Sequence, residues 1–180
     1  RTNADEAIRK LIDSARTHSD LARLMATPWQ QSFFSAGVII DMDDPLRYVP
    51  AVEQSGLTLP NADYYLREGA GFSALRADLL DHVTATLRRA RIPDAEAKAK
   101  VIVELETRIA GLHWSQSQRN DDVKMHHPMS PAELGGFAPG FDWTAYLEAQ
   151  RFGAVQKIDV RTDSAVRSLA RLFGETPTPV

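Results

Sequence analysis

The stretch from Gly56 to Leu66, Gly-Leu-Thr-Leu-Pro-Asn-Ala-Asp-Tyr-Tyr-Leu, constrains the fold more than any other part of the chain. Gly56 can take the positive φ that closes an extended segment. Pro60 fixes its own φ and drives Leu59 out of helical space. Asn61 and Asp63 then offer short side-chain acceptors to the free amides of a starting helix, and Tyr64, Tyr65 and Leu66 bring large apolar area directly behind them. The segment is a corner where an extended piece becomes a helical one.

Periodicity on either side of the corner predicts a mainly α chain. Asn3 with Glu6 has the spacing of a capping box, and Ile8, Leu11, Ile12 and Ala15 follow at helical intervals. Thr17 or Ser19 can cap a second helix carrying Leu21, Leu24 and Met25 and ending near Pro28, and the two are expected to pair as a hairpin. Val38-Ile39-Ile40 and Arg47-Tyr48-Val49 flank the turn signal Asp43-Asp44-Pro45, which predicts a two-stranded ribbon near 37–54. Pro50 makes its return arm an edge strand or an irregular one.

Beyond the corner, Phe72, Leu75, Leu79, Val83 and Leu87 mark a long core helix closed by Arg88, Arg89 and Arg91. Asp94 opens its antiparallel partner, with Val101, Leu105, Ile109 and Leu112 inward and Glu104 paired with Arg108. Ser130-Pro131-Ala132-Glu133 is a cap, a first-turn proline and a box glutamate, so a short helix begins there and stops at Gly135-Gly136. Asp142 caps another carrying Trp143, Tyr146 and Leu147. Ile158 and Val160 alternate with charges as a short strand near 156–161, and Asp163 or Ser164 starts a last helix through Val166, Leu169 and Phe173 to Gly174. Residues 1–175 read as one antiparallel multi-helix domain, and 176–180, with Pro177 and Pro179, as linker.

Composition removes several function classes. Lys and Arg total 21 against 24 Asp and Glu, a net charge of -3 with the signs mixed, so no basic run exists to neutralise phosphates and nucleic acid is not an expected partner. A hydrophobic content of 43% is enough for a core, yet no apolar run reaches membrane-spanning length, and Arg1 opens no signal-peptide pattern. With no cysteine, disulfides and thiolate metal sites are excluded. There is no Gly-x-Ser-x-Gly elbow and no Gly-rich phosphate loop.

Gly56-Leu57-x-Leu59-Pro60-x-x-Asp63-Tyr64-Tyr65-Leu66 resembles a signature in the non-catalytic part of the neprilysin-like zinc metallopeptidases, the M13 family. Further segments follow in that family's order. Val103 to Ala110 resembles its Leu-Glu-x-x-Leu-Ala helix. Arg119 to Lys124 leading into Pro128 to Leu134 resembles its next connector, and Phe141-Asp142-Trp143 with Tyr146-Leu147 the helix after that. The likeness is clear from about Gly37 to Trp143 and weaker from Asp5 to Pro28 and beyond Tyr146. Ala62 stands where relatives usually carry arginine, and His126-His127 where bacterial members commonly have Tyr-Asn. The absence of cysteine sets the chain apart from animal neprilysins, which the resemblance describes as disulfide-bonded, and points to a bacterial type.

The resemblance implies the N-terminal, lid-like helical domain of a longer zinc-dependent metalloendopeptidase, enclosing the cavity where peptides are admitted by size, in an extracytoplasmic (periplasmic or cell-envelope) setting. Zinc belongs to the full-length enzyme, and peptide substrates are met through the catalytic domain of the same parent protein. Such an enzyme needs His-Glu-x-x-His, two imidazoles one helical turn apart with a carboxylate for the bound water. No histidine here is followed by that pattern. His18, His82 and His113 are isolated and read as ordinary helix or surface residues. His126-His127 with Asp121 and Asp122 is the cluster that could suggest a metal, but adjacent residues in a polar loop rarely converge on one ion, so a solvated loop is the expectation. Glu104 and Glu106 are two apart on a helix and do not face each other; the resemblance gives one of them a chance of an internal salt bridge. Trp114, Phe141, Trp143 and Tyr146 read as core or docking surface before ligand platform. The chain alone is therefore expected to be inactive, with no catalytic or metal residue. The alternative is a free-standing helical protein-binding module, and a third reading is an incomplete domain with an exposed docking face.

Overall fold

The computed structural model describes residues 3–27 and 32–178, with backbone alone at 3–6 and 8. The cap pair expected at Asn3 and Glu6, and the stop at Pro28, lie outside what is described. In chain order the elements are α1 (Asn3–Ser14), α2 (His18–Met25), β1 (Phe34–Ile40), β2 (Tyr48–Gln54), α3 (Asp63–Leu66), α4 (Ala70–Arg89), α5 (Ala95–Ala110), β3 (Pro128–Met129), α6 (Pro131–Phe137), α7 (Trp143–Ala149), β4 (Ile158–Val160) and α8 (Asp163–Glu175). Helices hold about half of the chain. They fall into two compact units, Arg1–Ser55 with Asp121–Val180, and Gly56–Asn120. The corner is where the chain passes from one unit to the other, and Gly56 takes φ 99° there.

The first unit is built on a four-stranded sheet in the order β1-β2-β4-β3. β1 and β2 run antiparallel, β2 and β4 parallel, β3 and β4 antiparallel. The expected ribbon is present, starting at Phe34, but it is half of a mixed sheet, so an antiparallel arrangement describes only part of this unit. Pro50 does not make β2 an edge strand. Asp41 N–H donates to Arg47 (3.0 Å) and Ser55 N–H to Phe33 (2.9 Å). This register makes Val38↔Pro50 a pair that exchanges no bonds, so Pro50 turns its missing N–H away from β1. On that other side β4 pairs only with Ala51 and Val52, beyond the proline. The internal strand loses no ladder bond at Pro50.

An aromatic cluster fills the core of this unit. The Phe34 ring centroid lies 4.7 Å from Phe141 and 4.6 Å from Trp143, and Phe141 lies 4.9 Å from Phe173. Trp143, only 3% exposed, donates its indole N–H to the Ala138 carbonyl at 2.8 Å. Helix α8 lays Val166, Leu169 and Ala170, all fully buried, toward β2. Its close approach to the loop before α7 depends on glycine. A Cβ on Gly140 (φ 103°) would sit 2.6 Å from the Ala170 carbonyl oxygen.

The caps follow the sequence. Thr17 and Asp20 form a capping box on α2, Ser130 and Glu133 another on α6 with Pro131 in its first turn, and Asp142 accepts from Ala145 N–H at 2.9 Å on α7. Two details differ. Helix α6 continues through Gly135-Gly136 to Phe137, and α2 is not simply the partner of α1. Its inner side meets α7, where Ser19 donates to Asp142, while Leu11 and Ile12 of α1 stay exposed.

The second unit is a helical hairpin with α3 tucked against it. Arg88 pairs with Glu96 beside the turn, and Leu79 packs near Ala110 at the far end, which fixes α4 and α5 as antiparallel. Arg91 and Asp94 both take left-handed φ (58° and 56°) in the turn. Tyr65, Leu79 and Ala110 form the buried cluster, with Leu57, Leu59, Val83 and Val103 partly buried against it. The expected stripe on α5 holds at Ile109, which is buried, and fails at Val101. Val101 is 63% exposed and Leu75 of α4 is also exposed, whereas Ala95, Ala99 and Ala110 are buried. The buried positions of α5 are thus mostly small residues, with Ile109 the one large side chain among them. No ion pair joins Glu104 to Arg108 among the described residues.

Candidate functional site

Two polar clusters are positioned by these elements, one in each unit. In the second unit the corner is clamped by Glu106, on the inner side of α5. Its carboxylate accepts from Thr58 N–H (3.0 Å), from the Thr58 hydroxyl (2.8 Å) and from the Tyr65 hydroxyl, which itself accepts from Leu59 N–H at 2.9 Å. Burial, and then the neighbouring Glu106 carboxylate, push the Tyr65 phenol far above its usual range, so it stays a neutral donor. Glu106 is thus an internal acceptor for the turn, not one half of a salt bridge. Asn61 supports the same turn by accepting from Asp63 N–H at 3.0 Å.

The first unit carries a chain of alternating charges across the sheet. Lys157 Nζ lies 2.8 Å from Asp41 Oδ1 and 2.6 Å from Asp43 Oδ2. His126 presents Nε2 to Asp43 at 3.2 Å and Nδ1 to Asp159 at 2.9 Å. Asp159, with no exposed surface, also accepts from His127 N–H at 2.8 Å and has Arg161 Nη1 3.6 Å away, and Arg161 reaches Asp122 at 3.0 Å. The hydrogen bond from Lys157 holds the Asp41 and Asp43 carboxyls below the usual carboxylate range. A buried carboxylate in β4 is what alternation concealed. Asp159 occupies the position a solvent-facing charge would take in a one-sided strand, but β4 is internal and covered on both faces.

The histidines resolve accordingly. His126-His127 is not a solvated loop: His126 sits between two carboxylates, and His127 Nδ1 faces the Val160 carbonyl at 3.2 Å. Asp121 turns instead to Lys124 (3.3 Å) and Asp122 to Arg161, so the four residues do not converge on one point. His18 Nε2 meets the Thr176 carbonyl at 2.9 Å and its ring packs edge-on against Phe173. His82 is exposed. Among the described residues no group of three His, Cys, Asp or Glu is arranged to hold a metal ion, and no helix is long and apolar enough to cross a membrane. Phe141, Trp143 and Tyr146 are core, and Trp114 is half-buried. An open groove of about 450 Å³ beside α8 is lined by Phe137, Ser168, Arg167 and Arg171, with the Arg167 guanidinium over the Phe137 ring at 5.7 Å.

Both polar clusters are satisfied from within and sit on a capped helical frame. The family model for the N-terminal part of peptidase family M13 matches residues 3–180. The chain belongs to peptidase family M13. Endothelin-converting enzyme 1 of Cavia porcellus is 32% identical over 117 residues, which is 64% of this chain and 16% of that protein. Neprilysin-3 of Drosophila melanogaster is 29% identical over 57% of this chain and 13% of its own length. Among solved structures, the Mycobacterium tuberculosis zinc metalloprotease Zmp1 in complex with an inhibitor matches with a TM-score of 0.87 at 26% identity, over 96% of this chain and 27% of that one. PepO of Lactobacillus rhamnosis shares the fold, with a TM-score of 0.67 at 17% identity. The chain therefore spans 13% and 16% of these two curated relatives and 27% of each of the two solved chains.

Proposed function

We propose that this chain is the substrate-gating part of a zinc metalloendopeptidase, enclosing the cavity where peptides are hydrolysed while the reacting groups lie elsewhere in the same parent protein. One observation carries the reading. Nearly the whole chain superposes on a quarter of a zinc metalloprotease that holds an inhibitor, yet the sequence has no His-Glu-x-x-His. Residues 1–175 serve as the lid-like part and 176–180 as linker. An enclosing part contributes by excluding water and by restricting what can enter, so its residues act on access and closure and not on bond making. Among the described residues no donor set is arranged to hold zinc, which belongs with the full-length enzyme. Peptides are met through the catalytic domain, and the family supports an extracytoplasmic setting.

Purified residues 1–180 supplied with zinc should leave a panel of short peptides intact, and the coding sequence beyond Val180 should contain His-Glu-x-x-His. Cleavage by the isolated chain would overturn the reading. A parent lacking that motif would make the chain a free-standing binding module instead.

A further inference from the structure

We propose that His126 is a proton-operated latch, which as an imidazolium ties the turn after β1 to the buried strand β4 and on losing its proton loosens its own hold on that turn. The geometry is specific. Both ring nitrogens face carboxylate oxygens, Nδ1 that of Asp159 on β4 at 2.9 Å and Nε2 that of Asp43 in the turn at 3.2 Å. An imidazolium donates to both; a neutral ring has one N–H and must turn a lone pair toward one of them. Asp159 has no exposed surface and the shorter contact, whereas Asp43 is open to solvent, so Asp43 is the partner that is let go.

The other charges around the ring set its preference. Among the described residues four carboxylates, Asp41, Asp43, Asp159 and Asp122, meet two cations, Lys157 and Arg161, so a protonated His126 adds a third positive charge to a cluster in acidic excess. Its own loop adds the Asp121–Lys124 pair, and His127 faces Asp163 at 3.6 Å. The hydrogen bond to Asp159 raises the His126 pKa above its ordinary value. Stabilisation from a raised histidine is complete below its unfolded pKa of about 6.5 and is lost as pH climbs through the higher folded value. Lys157 keeps its hold on Asp41 and Asp43, so the turn loosens without detaching. That turn and the start of β2 carry Met42, Leu46 and Tyr48, all exposed, so one proton governs the freedom of an apolar tip.

This inference does not depend on the gating reading and is tested on the 180-residue chain. Nitrogen NMR of the His126 ring should show both nitrogens protonated near about pH 6.5. The Asp41 and Asp43 amides, bonded to the Arg47 carbonyl and to the Asp41 carboxylate, should lose exchange protection, corrected for intrinsic rate, as pH rises through the raised folded pKa of His126. His126→Gln should abolish that slope. Asp43→Asn, at an exposed position, should abolish it as well and serves if the first variant does not fold. A ring with a single protonated nitrogen throughout, or an unchanged slope in the variants, would overturn the latch.

Discussion

In the sheet-centred unit Val52, Ile158, Val160, Leu169 and Tyr146 have no exposed surface, and seven aromatic rings, His18 among them, touch in one continuous cluster. In the unit from Gly56 to Asn120 the buried apolar residues are Tyr65, Leu79, Ile109 and three alanines. Apolar area is what the first unit has and the second lacks, and burial at roughly 25 cal/mol per Å² makes that a large difference in driving force. The second unit compensates with hydrogen bonds, anchoring its entry turn to α5 through Thr58, Tyr65 and Glu106. Truncating a ring should therefore be felt most in the first unit and removing a hydroxyl most in the second.

The largest expected effect is Trp143→Ala, which removes a buried indole and leaves the Ala138 carbonyl without its donor. It should cost about 3–5 kcal/mol, read as a fall in denaturation midpoint at constant slope. A loss below about 1 kcal/mol would mean that the aromatic cluster is not the core of that unit. Next comes Tyr65→Phe, which keeps the ring and deletes the hydroxyl that donates to Glu106 and accepts from Leu59 N–H. It should cost about 1–3 kcal/mol. Amide exchange should localise the loss to residues 56–66; a neutral result would show that apolar packing, not the clamp, holds the second unit. Val101→Ala should be the smallest change, within about 0.5 kcal/mol in this chain, because the side chain is 63% exposed. A cost of a buried valine would restore the stripe that periodicity places inward.

What the sequence made legible was local. Gly56, the capping residues Thr17, Ser130 and Asp142, and the buried Trp143 all declare themselves through backbone chemistry or spacing within a few residues. What it hid depends on partners far along the chain. Pro50 is tolerated in an internal strand because β4, more than a hundred residues later, pairs only past it. Asp159 is buried because β2 and β3 flank its strand, and Glu106 is an acceptor because the corner folds back onto α5. The missing His-Glu-x-x-His motif could be read from the sequence directly, and the family resemblance gave it its meaning.

The central claim is that these residues control access to a reaction carried out elsewhere in the parent protein. It is tested by kcat/KM of the parent enzyme and its Pro60→Gly variant on a dipeptide-sized and a longer peptide substrate. Freeing φ at the corner should relax the turn by about 0.4–1 kcal/mol without touching a reacting group. The account predicts that kcat/KM for the longer peptide changes while the value for the short one, which enters freely, holds. Equal losses on both substrates, with fold and zinc content intact, would place these residues in the catalytic site and contradict it.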